Sequence, residues 1–131
     1  MAEHPHAALV RKGYEAFSRG DMDALRGMMT SDCTHHVPGN SPISGDQKGI
    51  DAVLGHYGRL AAETNGTFRV ELRHVLVDGR GHVMSVHGFT AERGGRKIDA
   101  RGGIVFRVVG DKITDLDECV EDMEESDAFW A

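Results

Sequence analysis

The sequence predicts an α+β fold, in which helices from the first half of the chain pack on one face of an antiparallel sheet from the second half. Apolar residues recur at helical spacing up to residue 64, and from residue 67 onwards they alternate with polar residues, as in half-buried strands. Glycine-rich turns separate the alternating segments. With 131 residues, the chain is expected to form a single domain over 1–131.

Three helices are predicted in the first half of the chain. The first covers 6–19 and ends at Gly20, and a short second helix begins after Asp21, a residue type that favours the N-cap position. The third covers 50–64. The apolar and small positions expected to face the sheet are Leu9, Val10, Gly13, Tyr14, Phe17, Leu25, Met28, Met29, Ile50, Val53, Leu54, Tyr57, Leu60 and Ala61.

The strands follow from alternation and from turn residues. A short strand at 33–37 precedes a loop at 38–42, where two prolines disfavour helix. Gly102 and Gly103 predict a bend or bulge inside a later strand. Residues 122–130 are expected to form a terminal helix. The four longer strands are predicted at 67–77, 82–93, 97–109 and 112–120.

Charge and cysteine content exclude several classes of protein. The net charge of -6 disfavours a nucleic-acid partner, which needs a basic surface. No run approaches the roughly 18 apolar residues of a membrane span, and the first residues do not have the pattern of a signal peptide. We therefore expect a cytoplasmic protein with no membrane partner. Cys33 and Cys119 are far apart in sequence, and we expect both to be buried and reduced.

Seven short segments, taken in their order along the chain, carry a family resemblance. They are YEAFSRGDMD at 14–23, HVPG at 36–39, SGD at 44–46, GTFRVEL at 66–72, GRK at 95–97, DKIT at 111–114 and DAFW at 127–130. Together they resemble the nuclear transport factor 2-like superfamily, and within it the SnoaL-like branch that includes ketosteroid isomerases and polyketide cyclases. The resemblance covers nearly the whole chain.

The resemblance implies a cone-shaped fold, in which a strongly curved sheet wraps around the first and third helices and encloses a deep apolar pocket. It also implies a small hydrophobic organic molecule as the ligand and a homodimer formed through the outer face of the sheet. Fold alone does not define the reaction, so each pocket position has to be considered separately.

Three pocket positions differ from those of ketosteroid isomerases. In the resemblance, the carboxylate base of those enzymes falls at Val37, the oxyanion tyrosine at Gly13 and the protonated aspartate at Ile104. That reaction depends on an acid and a tyrosine that donate hydrogen bonds to the intermediate. Because all three polar groups are absent here, we exclude ketosteroid isomerisation itself.

Glu118 is the leading candidate for a catalytic acid/base group. Alternation places it with Leu116 and Val120 on the face that points to the core. In the resemblance, this position looks like the one where SnoaL-type cyclases carry their acidic acid/base group. An apolar pocket is expected to raise the pKa of the carboxyl, which suits a group that both takes and gives a proton. A structural alternative places Glu118 at the open rim of its strand.

Several of the eight histidines map towards the same pocket. His35 and His87 alternate inward and are candidates to assist Glu118 in catalysis, because imidazole titrates near neutral pH. His36 alternates away from His35, and it either reaches the pocket rim or hydrogen-bonds the adjoining loop. The predicted substrate-binding residues are Tyr14, Phe17, His36, His56, Tyr57, His74, Phe89, Ile104, Phe106, Leu116 and Val120.

Alternatives remain open at this stage. The histidines could take part in catalysis, hold a metal ion or be structural; we predict no metal and no cofactor, since no local ligand spacing such as H-E-x-x-H occurs. The favoured function is a cofactor-independent acid/base enzyme on a small, mostly apolar carbonyl or hydroxyl compound. The alternatives are a non-catalytic binding protein for a small hydrophobic molecule and a protein-interaction module.

Overall fold

The computed structural model describes residues 2–131, which form four helices and one six-stranded sheet. In chain order the elements are α1 (Pro5–Arg19), α2 (Met22–Met28), β1 (Met29–Val37), β2 (Gly45–Lys48), α3 (Ile50–Glu63), β3 (Arg69–Val77), β4 (His82–Arg93), β5 (Arg96–Val109), β6 (Lys112–Val120) and α4 (Met123–Trp130). The α+β class is confirmed. The short edge strand β2 is an addition to the predicted elements, because its four residues carry no apolar alternation.

The strands are ordered β2-β1-β6-β5-β4-β3 in the sheet. β1 and β6 run parallel, and every other neighbouring pair is antiparallel. The parallel pair aligns His35 with Leu116. The first and last strands of the chain thus lie side by side, which brings His35 close to Glu118.

The helices lie on one face of the sheet, where α1 contacts β3 and α3 contacts β1. Their ends follow from local chemistry. Gly20 ends α1 in the left-handed conformation with φ of 68°, which glycine adopts without steric cost. The Asp21 carboxylate then accepts a hydrogen bond from the Ala24 N–H at 3.0 Å and caps α2.

The terminal helix α4 packs against the loop that follows β1. Phe129 and Trp130 are buried in the core, and the Asp127 carboxylate accepts a hydrogen bond from the Asn40 N–H at 3.0 Å. The helix therefore closes one end of the fold. Within residues 2–131, no helix is long and apolar enough to cross a membrane.

The two cysteines differ in environment. Cys33 is buried, as expected, whereas the expectation that Cys119 is buried is wrong: its side chain is exposed. Cys119 follows Glu118 directly, so it projects from the opposite face of β6. Both thiols are free.

Candidate active site

A cavity lies between α1, α3 and the inner face of the sheet, and α4 and the loop after β1 also border it. Its wall is mostly apolar and aromatic. Glu118 is the only lining residue, among residues 2–131, of the types that are ordinarily charged at neutral pH. The cavity is thus an apolar chamber around a single carboxyl group.

The structure brings most of the predicted site residues together around this cavity. All except His36 and His74 line it: Glu118, His35, His87, Tyr14, Phe17, His56, Tyr57, Phe89, Ile104, Phe106, Leu116 and Val120. Val37 and Gly13, which correspond to polar positions of ketosteroid isomerases in the resemblance, also line the cavity.

The prediction that His74 faces the pocket is wrong, because a β-bulge interrupts the alternation of β3. Leu72 pairs with His87, but His74 pairs with Val86, so Arg73 is an extra residue on the bulged strand. The bulge turns Val75 towards the core and leaves His74 exposed on the outer face.

His36 does not line the cavity, so of its two predicted placements the structure shows a hydrogen bond to the segment after β1 and not the pocket rim. Its side chain is exposed, and its Nδ1 lies 2.5 Å from Oδ1 of Asp46 on the edge strand β2. Successive residues of β1 point to opposite faces of the sheet, so a buried His35 requires an outward His36. His36 thus connects β1 to the edge strand β2.

Tyr57, His35 and Glu118 form a hydrogen-bonded chain in the cavity wall. The Tyr57 hydroxyl lies 2.8 Å from Nδ1 of His35, and Nε2 of His35 lies 2.9 Å from Oε1 of Glu118. Burial raises the pKa of Tyr57 well above its ordinary value, so its hydroxyl stays protonated and can donate to Nδ1. Nε2–H of His35 then donates to the carboxylate.

Burial of Glu118 acts to raise its pKa, but the hydrogen bond from His35 and the electrostatic effects of the neighbouring His35, His56 and His87 together outweigh burial and lower the pKa below its usual value. The expected upward shift is therefore wrong in direction, because alternation shows burial but not the hydrogen-bond partner. Glu118 is ionised near neutral pH.

His56, on α3, lies beside the hydrogen-bonded residues Tyr57, His35 and Glu118, and the centre of its ring is 5.6 Å from that of His35. The side chain is 6% exposed, and its ring nitrogens have no hydrogen-bond partner among residues 2–131. Burial, together with the neighbouring His35, lowers the pKa of His56 to about 4. His56 is thus a neutral imidazole whose polar atoms are free for a ligand in the cavity.

Ser85, Tyr14 and His87 form a second hydrogen-bonded group. The Tyr14 hydroxyl lies 2.7 Å from Oγ of Ser85 and 2.6 Å from Nδ1 of His87. Burial lowers the pKa of His87, which keeps the ring neutral near neutral pH. Burial also raises the pKa of Tyr14 well above its ordinary value.

Ser85 is not among the predicted site residues, yet it lies at one end of this second group, in contact with the Tyr14 hydroxyl. Its side chain is buried and shares the inward face of β4 with His87 and Phe89. The signal available in the sequence is a small hydroxyl residue at a position that alternation places on the inward face of β4. No three histidine, cysteine, aspartate or glutamate side chains of residues 2–131 converge in a way that could hold a metal ion.

The fold and the site together define a class of protein: a cone-shaped α+β domain whose apolar interior carries a few hydrogen-bonded polar groups. The model of the SnoaL-like domain family matches residues 10–116, so the chain belongs to that family. The resemblance stated from the sequence is thereby confirmed.

Known relatives extend over the whole chain. It is 35% identical to the uncharacterised protein Rv0034 of Mycobacterium tuberculosis H37Rv over 131 residues, the full length of both. Its structure is similar to that of Bal32a from a soil-derived mobile gene cassette, with a TM-score of 0.95 and 40% identity over 97% of each chain. TerC, co-crystallised with polyporic acid, has a TM-score of 0.83 at 14% identity over 96% of this chain and 98% of TerC, a similarity of fold alone.

Proposed function

We propose that this protein is a cofactor-independent acid/base enzyme acting on a small, mostly apolar carbonyl or hydroxyl compound, in a reaction of isomerase, cyclase, dehydratase or epoxide-hydrolase type. The observation that carries the proposal is the chain of hydrogen bonds from Tyr57 through His35 to Glu118 in the wall of an apolar cavity. A carboxylate held in this way can move a proton between two atoms of a bound substrate.

The ionised Glu118 begins the reaction as the base. Its Oε1 accepts the hydrogen bond from His35, so Oε2 is the oxygen that faces the substrate and takes a proton from a carbon or oxygen atom. The resulting carboxylic acid then returns the proton to another atom, and the enzyme ends in its initial state. His35 is a positioning residue in this scheme, since it orients the carboxylate and stabilises its charge.

The cavity wall supports an uncharged and largely apolar substrate. Phe17, Phe89 and Phe106 line it, and neither lysine nor arginine is present among its lining residues within the described chain. An anionic substrate would place a second negative charge beside Glu118 without a compensating cation. TerC, which shares the fold, was crystallised with an organic ligand, polyporic acid.

The test begins with a thermal-shift screen of the wild type against hydroxylated polycyclic and terpenoid carbonyl compounds. A ligand at 100 times its dissociation constant stabilises a fold by about 2.7 kcal/mol, which gives a clear rise in Tm. Each compound that binds is then assayed for turnover with the wild type, Glu118→Gln and Glu124→Gln. Glu124 is exposed on α4 and serves as the matched control.

We expect Glu118→Gln to retain ligand binding and to lose roughly 10²- to 10⁴-fold in kcat, the contribution of one acid/base group. Glu124→Gln should match the wild type. Turnover that is unchanged in Glu118→Gln would contradict the assignment of Glu118 as the base.

A non-catalytic binding protein is the second candidate, favoured by the apolar wall at Val37, Gly13 and Ile104. In that case a ligand from the screen stays bound and is recovered chemically unchanged. The third possibility, an interaction module that uses the acidic terminal segment, is disfavoured by burial of Phe129 and Trp130, which makes α4 part of the core.

We also propose a homodimer formed through the outer face of the sheet. Leu76 pairs with Met84, and Met84 pairs with Val105, so these three exposed side chains form a continuous apolar row on the face opposite the cavity. Apolar rows of this kind are typical of surfaces that another subunit covers.

A further inference from the structure

The second hydrogen-bonded group in the cavity ends on a nitrogen atom without a protein partner. Nδ1 of His87 contacts the Tyr14 hydroxyl, but Nε2 makes no hydrogen bond with any of residues 2–131. The His87 side chain is 6% exposed and lines the cavity. Nε2 therefore has no protein partner and is open to a ligand or a water molecule in the cavity.

Counting protons along the group defines which nitrogen of His87 is protonated. Ser85 Oγ accepts a hydrogen bond from the Ile104 N–H at 3.0 Å. Its own proton can go to the Tyr14 oxygen at 2.7 Å or to the Ile104 carbonyl oxygen at 3.3 Å, and the shorter contact favours Tyr14.

Tyr14 then accepts from Ser85, and its single proton is donated to Nδ1 of His87 at 2.6 Å. A neutral imidazole that accepts at Nδ1 carries its proton at Nε2. The free nitrogen in the cavity is thus a hydrogen-bond donor.

Two glycines keep this arrangement in place. A Cβ atom at position 103 would lie 2.1 Å from the Ser85 carbonyl oxygen, so only glycine allows the Ser85 peptide to take its position. A Cβ atom at position 102 would lie 3.2 Å from Nε2 of His87 and 2.6 Å from the Cys119 carbonyl oxygen. Gly102 and Gly103 thus leave room for both Ser85 and the imidazole ring.

We propose that Ser85 is a positioning residue that acts through Tyr14 to hold His87 as a neutral Nε2–H donor to a carbonyl oxygen of the substrate. The inference rests on the proposed function: it assigns the group that polarises the substrate carbonyl while Glu118 takes the proton. A neutral imidazole suits this role because it donates a hydrogen bond without adding charge to the cavity.

The first test is ¹⁵N NMR of the histidine rings in the uniformly labelled wild type at neutral pH. The expected result for His87 is a protonated Nε2 and an unprotonated Nδ1. A protonated Nδ1 in the wild type would overturn the proposal. In Ser85→Ala, Tyr14 no longer has to accept a proton from position 85, so a fraction of His87 is expected to carry its proton on Nδ1. Ser85→Thr, which keeps the hydroxyl, should restore the wild-type spectrum.

The second test compares two probes that differ in one oxygen, 2-acetylnaphthalene and 2-ethylnaphthalene. After correction for the different water solubility of the two probes, the wild type should bind the ketone about fivefold to tenfold more tightly than the hydrocarbon. This is the ratio of dissociation constants expected for one hydrogen bond. That preference should disappear in His87→Phe and fall in Ser85→Ala and Tyr14→Phe. Binding of 2-ethylnaphthalene reports that the cavity of each variant is intact.

Glu118→Gln should keep the ketone preference, which separates this proposal from the proposed function. If Glu118→Gln loses turnover but the wild type shows no ketone preference, only the role of His87 is contradicted, and the assignment of Glu118 as the base stands. A ketone preference that depends on Ser85, together with unchanged turnover in Glu118→Gln, contradicts only the assignment of the base. Equal binding of the two probes by the wild type overturns the inference.

Discussion

Nε2 of His35 lies 2.9 Å from Oε1 of Glu118 inside the apolar cavity, with the glutamate side chain 24% exposed. One residue further along β1, His36 makes a similar contact with Asp46 on the surface, where both side chains are about half exposed. The chain thus contains two adjacent histidine–carboxylate pairs with very different burial, which allows a controlled comparison.

We predict that His35→Phe lowers the free energy of unfolding by roughly 1–3 kcal/mol, because it leaves Glu118 and the Tyr57 hydroxyl without their partner in an apolar wall. His36→Phe should cost less than about 1 kcal/mol, as for other exposed ion pairs. Urea unfolding at pH 7 measures both. Equal losses in the two variants would show that the buried pair contributes no more than the exposed one.

The same substitution should change the pH dependence of any turnover that the protein shows. The hydrogen bond from His35 opposes the effect of burial and lowers the pKa of Glu118. Without that bond the pKa rises, so the acidic limb of the kcat/KM profile in His35→Phe should move to higher pH. An acidic limb at the wild-type position would mean that another group controls it.

Stability should fall in mild acid because His56 is buried as the neutral imidazole. Its pKa is about 4 in the folded state and 6.5 ordinarily, so between these values the unfolded chain binds a proton that the folded chain does not. Burial and His35 cause the shift, Arg59 reinforces it and Glu118 opposes it. The free energy of unfolding should therefore decrease by about 3 kcal/mol as pH falls from 6.5 to 4.

Urea unfolding at several pH values measures this dependence, and His56→Phe should reduce it; the lowered pKa values of His87 and Glu118 leave a smaller dependence in that variant. His74→Phe, at an exposed position on the outer face, should retain the wild-type slope. If His56→Phe and the wild type lose stability in parallel, then other groups account for the acid sensitivity.

The positions of the helices and strands can be predicted from the sequence because local patterns determine them. Alternation over Leu116, Glu118 and Val120 was enough to place Glu118 on the inner face of β6. The same reasoning failed for His74, since one extra residue in β3 reverses every later side chain and leaves no clear mark in the sequence.

The chemistry within the cavity is harder to predict from the sequence, because hydrogen bonds between distant elements determine it. Tyr14 and His87 are 73 residues apart in the chain, yet their polar atoms lie 2.6 Å apart. The direction of the pKa shift of Glu118 likewise depends on a contact with His35 that periodicity does not define. Sequence patterns indicate which face a side chain occupies, whereas tertiary packing decides its partner.

Gly103→Ala should strongly destabilise the fold. The added Cβ atom would lie 2.1 Å from the Ser85 carbonyl oxygen, a backbone atom that cannot move without disturbing β4. We expect a loss of more than about 2 kcal/mol. Gly27→Ala is the control, because its Cβ meets nothing within 4 Å and alanine favours the helix by about 0.5–1 kcal/mol. Thermal unfolding of both variants measures the difference, and a Tm of Gly103→Ala near that of the wild type would contradict the close approach of the two strands.

The proposed homodimer can be tested at the centre of the apolar row on the outer sheet face. Met84 is 48% exposed and lies between Leu76 and Val105, so Met84→Lys would bring charged side chains from both subunits close to an apolar contact. Burial of unpaired charge is costly enough to dissociate such an interface. We expect light scattering after gel filtration to give the mass of a dimer for the wild type and of a monomer for Met84→Lys. Ala128→Lys on the exposed side of α4 should remain dimeric. A monomeric wild type at high micromolar concentration would contradict the proposed dimer, and a dimeric Met84→Lys would place its interface elsewhere.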